Sequence, residues 1–416
     1  MPSHINIDKI DTLATIHAVS ETLRRIDRRL VDHGERVAYI ACAICDQGNL
    51  NLNRKKLFLL SVFHDIGAYK TDEIDRMLEF ETNDVENHSI YGYLFLKYMS
   101  PLFDSAEAIL YHHTRYDDIL KANIKDGEYA ALIHLADRID VALTFDMDRE
   151  VLRQQLFKSP GLFNEEYVEL AMQCIKETAL LQELSDKVYR TKNIELCQSF
   201  IVSSSEALEY LKMIVYIIDF RSEHTVTHTI NTISLALDIS RHFNLDDNIL
   251  ADMYLGALLH DVGKIAIPEA ILEYPGKLSD EQMKVMRTHV DETEAIIGDI
   301  IPQNICNLAL RHHEKLDGSG YPLGLTGADL TFPERIVAVA DIVSALSSRR
   351  SYKDPFPKDK TIMILNDMAK TKLDKDICQY VIDEYDNILN RTEGPRQNVI
   401  NTYKNIMNEY HQLQKK

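Results

Sequence analysis

The sequence predicts an all-α protein built as two tandem helical domains, and three observations carry that expectation. Apolar residues recur at three- and four-residue spacing through residues 7–30, 36–45, 166–184, 230–243 and 280–297, the stripe that an amphipathic helix needs. Sustained strand-type alternation is hard to find. Prolines and glycines are few, 11 and 15 in 416 residues, with clusters at 159–161, 275–276 and 318–327, where turns are expected. The third observation is an internal repeat.

Seven histidines and aspartates occur twice in one order. His33, His64-Asp65, His88, His112-His113 and Asp137 stand in the first half, and His228, His260-Asp261, His289, His312-His313 and Asp341 in the second. The intervals agree: 31 against 32 residues to the His-Asp pair, 24 against 29 to the next histidine, 24 against 23 to the histidine pair, 24 against 28 to the final aspartate. Ile133-His134-Leu135-Ala136-Asp137 mirrors Val337-Ala338-Val339-Ala340-Asp341. Helical bundles that merely share core histidines have no reason to keep both order and interval.

Taken in order, residues 1–194 form the expected first domain and 195–416 the second, joined near residue 195 by a helical connection. Asn164 before Glu165-Glu166 reads as an N-cap. Residues 208–220 read as a buried helix leading into the second repeat, and the polar stretch 391–416 as a surface helix. Cys42 and Cys45 form a lone Cys-x-x-Cys with no partner pair, which one helical face explains better than a redox or zinc site.

Composition narrows the function. The 65 acidic residues outnumber 46 basic ones, a formal charge of -19, which argues against broad binding to duplex nucleic acid or an anionic membrane. A small phosphorylated ligand stays open if metals and a few Lys or Arg reverse the sign locally. The N-terminus lacks a signal-peptide profile, and the longest apolar runs are too short to cross a bilayer. A soluble, cytoplasmic protein is expected. Imidazoles and carboxylates suit Fe, Mn or Zn, and an aspartate beside a histidine can bridge two ions.

The second half resembles the HD-GYP family of bacterial cyclic-dinucleotide phosphodiesterases, within the HD superfamily of metal-dependent phosphohydrolases. The likeness spans roughly residues 215–385. It rests on His228, His260-Asp261-Val262-Gly263-Lys264, Pro268, His289, His312-His313-Glu314-Lys315-Leu316-Asp317-Gly318-Ser319-Gly320-Tyr321-Pro322, residues 336–341 and Arg349-Arg350-Ser351-Tyr352-Lys353. Residues 25–145 look like a plainer HD domain. They keep every ligand-type residue but lack the Gly-Tyr-Pro loop, and Ala68 stands where the second half has Lys264.

The resemblance implies a metal-dependent phosphodiesterase that linearises a 3′,5′-cyclic dinucleotide, with cyclic di-GMP as the leading substrate. Hydrolysis of a phosphodiester needs an activated water and neutralised phosphoryl charge, which two ions supply. Asp261 is the candidate bridge. His228, His260 and Asp341 complete one ion's ligands and His289, His312 and His313 the other's, with Fe or Mn expected. Lys264 is the candidate catalytic cation for a phosphate oxygen. Arg350 and Lys353 would hold the ligand, and Gly318, Gly320, Tyr321 and Pro322 would shape its pocket. His33, His64, Asp65, His88, His112, His113 and Asp137 form a second candidate metal set.

Two departures bear on this reading. The family usually has Asp three residues after the last metal aspartate, where it could pair with a guanine edge; here Ser344 stands there, which keeps 3′,3′-cyclic GMP-AMP as the alternative substrate. Members with a third ion carry Glu four residues before the first histidine; here that position is His224, beside Glu223, so a third ion at this pair stays open, as does a homodimer. The first domain is read either as a metal-bearing regulatory or dimerisation module or as a nucleotidase acting on the linear product. A non-hydrolysing cyclic-dinucleotide receptor is the reading from a different class.

Overall fold

The computed structural model describes residues 18, 21–22, 25, 32–70, 86–145, 147–200, 203–220, 227–299, 301–348 and 355–415. Among them the backbone is helical throughout, with no strand; one isolated antiparallel bridge joins Asp317 to Thr326. The all-α expectation holds. No helix among the described residues is long and apolar enough to cross a membrane.

The chain divides into two compact units. One holds Ile26–Tyr210 together with Ile406–Lys416, and the body of the other is Leu211–Asn405. Each is built on the same scaffold. In the first, α1 (His33–Gln47) packs on α2 (Arg54–Phe63) and on α4 (Gly127–Thr144), while α3 (Glu86–Met99) packs on the 3₁₀ turn Ile66–Lys70. In the second, α5 (His228–His242) packs on α6 (Asp247–Leu259) and α8 (Phe332–Ser347), while α7 (His289–Ile297) packs on the 3₁₀ turn Val262–Ala266.

Local chemistry starts these helices where the sequence places cap residues. Asn53 accepts from Lys56 N at 2.9 Å, and Asp246 accepts from Asn248 N and Ile249 N. Thr331 and Glu334 form a capping box at the start of α8, satisfying donors that a helix leaves orphaned. The core faces are continuous: Val37, Ile40, Ala41 and Ile44 on α1, Leu57, Phe58 and Leu60 on α2, and Ile336, Val337, Val339 and Val343 on α8 are buried. Each such aliphatic or aromatic side chain contributes roughly 1.5–3 kcal/mol when fully buried. α4 and α8 carry Asp137 and Asp341 into the interior.

Gly67 and Gly263 let the two halves of each scaffold meet. A Cβ on Gly263 would stand 2.0 Å from His289 O and 2.4 Å from Thr293 N; on Gly67 it would stand 2.0 Å from His88 O and 2.4 Å from Gly92 N. Only glycine permits that approach.

Three expectations need correction. The stripe at 166–184 is two helices, Glu165–Glu177 and Leu180–Ser185, because Thr178 leaves the helix at φ -111, ψ 173 with its hydroxyl on Cys174 O. The stripe at 280–297 breaks at Thr288, whose hydroxyl turns back to Val285 O at 2.8 Å, so that His289 opens α7. The terminal stretch is no mere surface helix. It belongs to α9 (Tyr385–Leu413), which buries Thr392, Ile406 and Tyr410. Near its start Arg391 forks onto Asp238 at 2.7 and 3.0 Å; near its end Lys97 and Tyr98 bond Glu409, and Tyr410 stacks on Tyr91 at 4.1 Å.

Other readings stand as written. Asn164 accepts from Glu166 N and Tyr167 N, and the helix Ser204–Asp219 is buried along most of 207–218. Cys42 and Cys45 are buried thiols outside any disulfide, on one face of α1. The stripe at 7–30 lies almost wholly outside the described residues.

Candidate metal centres

The second unit gathers its seven residues from five places in the chain. His228 opens α5, His260 and Asp261 follow α6, His289 opens α7, His312 and His313 follow the helix Gln303–Leu310, and Asp341 lies in mid-α8. Asp261 is central. Its Oδ2 lies 3.0 Å from His260 Nε2 and 3.3 Å from His228 Nε2, while Oδ1 lies 3.5 Å from His289 Nε2 and 3.9 Å from His312 Nε2. Asp341 offers Oδ1 to His228 Nε2 at 3.2 Å and Oδ2 to His313 Nδ1 at 3.6 Å. One carboxylate thus faces two groups of nitrogens, one through each oxygen.

Hydrogen bonds fix which nitrogen faces inward. His260, His289 and His312 each donate Nδ1–H to the carbonyl three residues back, Ala257, Met286 and Ala309, at 2.8, 2.7 and 2.5 Å. That leaves the Nε2 lone pairs turned to the centre, the tautomer a metal ligand requires. Nε2 of His289 and His312 and Oδ1 of Asp261 are buried without any hydrogen-bond partner. An orphaned buried polar atom costs about 1–3 kcal/mol, and several converging on one point make sense only around a cation. The donor set fits one.

The first unit repeats the arrangement. Asp65 Oδ2 lies 3.2 Å from His64 Nε2 and 3.5 Å from His33 Nε2, and Oδ1 lies 3.5 Å from His88 Nε2 and 3.7 Å from His112 Nε2. His64 and His112 donate Nδ1–H to Ser61 O and Ile109 O. Nε2 of both, with Oδ1 of Asp65 and of Asp137, are buried orphans, and His88 Nε2 stands 3.1 Å from His113 Nε2. Among the described residues, four groups of histidines and aspartates have ligand atoms close enough to share an ion, two in each unit.

The electrostatics set buried, ionised carboxylates among imidazoles that shift in opposite directions. Burial would raise the Asp261 carboxyl, but His260, Lys264 and His228 hold it well below the carboxylate range; His64 and His112 do the same for Asp65. Burial pushes His313 down to about 3 and His312 well below its ordinary value. His228 and His33 go the other way. Burial opposes their charged forms, yet Asp261 and Asp341 lift His228 to about 9, and Asp137 and Asp140 lift His33 to about 10. A site that stabilises a positive charge at those positions suits a cation there.

Lys264 bonds the Asp261 carboxylate from the 3₁₀ turn, with about a quarter of its side chain exposed. The Gly-Tyr-Pro loop brings Tyr321 to the centre, its ring 4.6 Å from that of His313. Gly318 takes φ +77, Gly320 and Pro322 complete the turn, and the Tyr321–Pro322 bond is cis. Arg350 and Lys353 lie outside the described residues, as do Glu223 and His224.

Several neighbours escaped the sequence reading. Glu314, buried, accepts from Leu323 N at 2.7 Å and Leu325 N at 2.9 Å and so holds the loop closed. Arg287 lies over the Tyr321 ring at 4.8 Å. Asp219 is buried beside this centre, and burial pushes its carboxyl up to about 6 against a Thr229 hydrogen bond. In the first unit Arg138 grips Asp137 at 2.6 Å, where the second unit has Ile342. A charge inside an otherwise apolar helix was the available signal for Arg138. Ser344 is a correction: it is fully buried and bonds His228 Nδ1 and His228 O, both at 3.0 Å, rather than facing a base pocket. The phase of α8 turns position 344 onto α5.

Comparison with known proteins agrees with the doubled architecture. Residues 30–142 and residues 212–377 each match the HD domain. The chain is 27% identical to 3′3′-cGAMP-specific phosphodiesterase 1 of Vibrio cholerae over 85% of its own length and 86% of that protein. It is 30% identical to 3′3′-cGAMP-specific phosphodiesterase 3 of the same organism over 59% of its own length and 54% of that protein. A cyclic di-GMP phosphodiesterase of Pseudomonas aeruginosa is 35% identical over 32% of each chain. A crystal structure of a cyclic GMP-AMP-specific phosphodiesterase from V. cholerae shares the fold, with a TM-score of 0.56 at 20% identity over 91% of this chain and 97% of that one. The chain belongs to the HD superfamily and carries two HD domains in tandem.

Proposed function

We propose that the protein is a metal-dependent phosphodiesterase that opens a 3′,5′-cyclic dinucleotide to its linear form at the second HD domain. The observation that carries this is the pair of ligand groups set on the two oxygens of Asp261, His228/His260 on one and His289/His312 on the other with His313 beside them, where Nε2 of His289 and His312 and Oδ1 of Asp261 are buried and unpaired. Two ions held there, Fe or Mn, would supply an activated water and neutralise phosphoryl charge. Asp261 and the histidines fix the geometry, and Lys264 adds a cation beside the bridging carboxylate. Tyr321 lines the mouth, with Gly318, Gly320 and Pro322 shaping the loop that presents it, and Arg350 and Lys353 would hold the ligand.

Relatives named for both expected substrates occur. A relative that aligns over 85% of the chain is named for 3′3′-cGAMP, which favours cyclic GMP-AMP over cyclic di-GMP. The first domain we read as metal-bearing and regulatory, because Ala68 stands where the second domain has Lys264, and Arg138 pairs with Asp137.

The test is hydrolysis of both cyclic dinucleotides by anaerobically purified protein loaded with Fe or Mn. Asp261→Ala should abolish cleavage while Asp65→Ala retains it. Absence of cleavage with either metal in the parent protein refutes the proposal. If Asp65→Ala instead blocks phosphate release from the linear product, the first domain is a second enzyme.

A further inference from the structure

The position three residues after the last aspartate of each cluster is buried against the cluster's first histidine, and the two units fill it differently. In the first unit Asp140 Oδ2 accepts from His33 Nδ1 at 2.7 Å. Arg36 grips the same carboxylate through Nε at 2.6 Å and Nη2 at 2.8 Å. In the second unit the acceptor is the Ser344 hydroxyl. Its single proton goes to His228 O, so Oγ accepts from His228 Nδ1–H. The Nε2 lone pair then faces Asp261 and Asp341.

The neighbouring position changes in step. Asn231, three residues after His228, replaces Arg36, three after His33. Its amide donates to Ser348 Oγ at 3.0 Å, as Arg36 reaches Thr144 Oγ1 at 3.4 Å. Where the first unit sets the ionic Arg36–Asp140 pair, the second sets two neutral side chains at the matching positions, Ser344 bonded to His228 and Asn231 bonded to Ser348.

We infer that Ser344 is the positioning residue of the second centre, and that this neutral acceptor, with Asn231 in place of Arg36, gives His228 a weaker hold on a cation than Arg36–Asp140 gives His33. The inference rests on reading His228 as a metal ligand. A carboxylate acceptor makes a hydrogen bond roughly twice as strong as a neutral one and raises the basicity of the far nitrogen, whereas a hydroxyl aligns the ring and leaves it the poorer donor. Partners of this kind are worth about 10–100-fold in metal affinity.

The test is the Mn(II) affinity of the full chain, by competition with a fluorescent chelator, with the first centre disabled by Asp65→Ala and its loss checked by stoichiometry. Ser344→Ala should weaken binding about 10–100-fold, and Ser344→Thr should restore most of it. The double variant Asn231→Arg/Ser344→Asp should tighten it about tenfold. Melting of the metal-free proteins monitors folding, and if Ser344→Ala does not fold, the other two variants carry the test. Unchanged affinity in the variants overturns the inference and leaves the centre standing. Loss in Ser344→Ala without gain in the double variant overturns the ranking of the two centres. A parent that binds no Mn(II) overturns the metal reading itself, and the inference with it.

Discussion

Replacing Gly263 by alanine tests whether the spacing of the two ligand groups governs activity. The new Cβ would sit 2.0 Å from His289 O, 2.4 Å from Thr293 N and 2.8 Å from Thr293 Oγ1. Carbon and oxygen in ordinary contact are about 3.5 Å apart, so the start of α7 must retreat by roughly 1.5 Å. His289 is the first residue of that helix, and it moves with it. The hydrogen bond from Gly263 N to Thr293 Oγ1, now 3.0 Å, is lost as well. Overpacking of this kind costs about 1–3 kcal/mol, and a displacement near 1 Å at a reacting centre costs on the order of 100-fold in rate. Gly263→Ala should therefore remain folded by circular dichroism, bind less Mn(II) at its second centre, and hydrolyse 3′,3′-cyclic GMP-AMP about 100-fold more slowly or worse. Gly67→Ala, the same lesion beside His88, should leave that hydrolysis intact. A Gly263→Ala protein with the parent's turnover and metal content would show that α7 is free to shift without consequence, and the argument from close approach would fail.

Two further outcomes follow from contacts outside the two ligand clusters. Glu314→Ala removes the acceptor for Leu323 N and Leu325 N, leaving two donors to find water at about 1–3 kcal/mol each; KM for the cyclic dinucleotide should rise while metal content stays constant, and an unchanged KM would dissociate the Gly-Tyr-Pro loop from binding. Glu409 is held below its ordinary pKa because Lys97, Tyr98 and Tyr93 outweigh its partial burial. A depressed folded-state value contributes stability that is present above the unfolded pKa, near 4.3, and vanishes as pH falls through the folded value. Thermal melts between pH 3 and about 7 should show the first unit losing stability on the acid side, with a shallower acid limb in Glu409→Gln; identical limbs would remove the pair from the account.

What was legible in the sequence depended on period and interval. The helical stripes and the doubled His/Asp order needed only spacing, and the 14 repeated residues do converge into two clusters. Asn164 was readable because capping is local. The breaks at Thr178 and Thr288 were not, since a threonine inside an amphipathic stripe is compatible with either a continuous or a broken helix, and the hydroxyl's turn back to a carbonyl decides it. Ser344 was misread because its one-dimensional neighbours say nothing of what α8 packs against; the contact with α5 turns it inward. Arg138 and Glu314 looked like ordinary charges next to a motif, and only burial shows that each has a partner that cannot be spared.

The division of α9 between the units has a consequence for the order of synthesis. The segment from Ile406 completes the first unit, supplying Glu409 to Lys97 and Tyr410 to Asn87 and Tyr91. Domains ordinarily finish folding in the order in which they leave the ribosome. Here an earlier part waits for a later one: while residues 211–405 emerge and fold, Tyr91 of α3 lacks its stacking partner Tyr410. A chain interrupted anywhere in the second unit thus exposes an unfinished first unit, a mark by which proteolysis could tell partial products from complete ones.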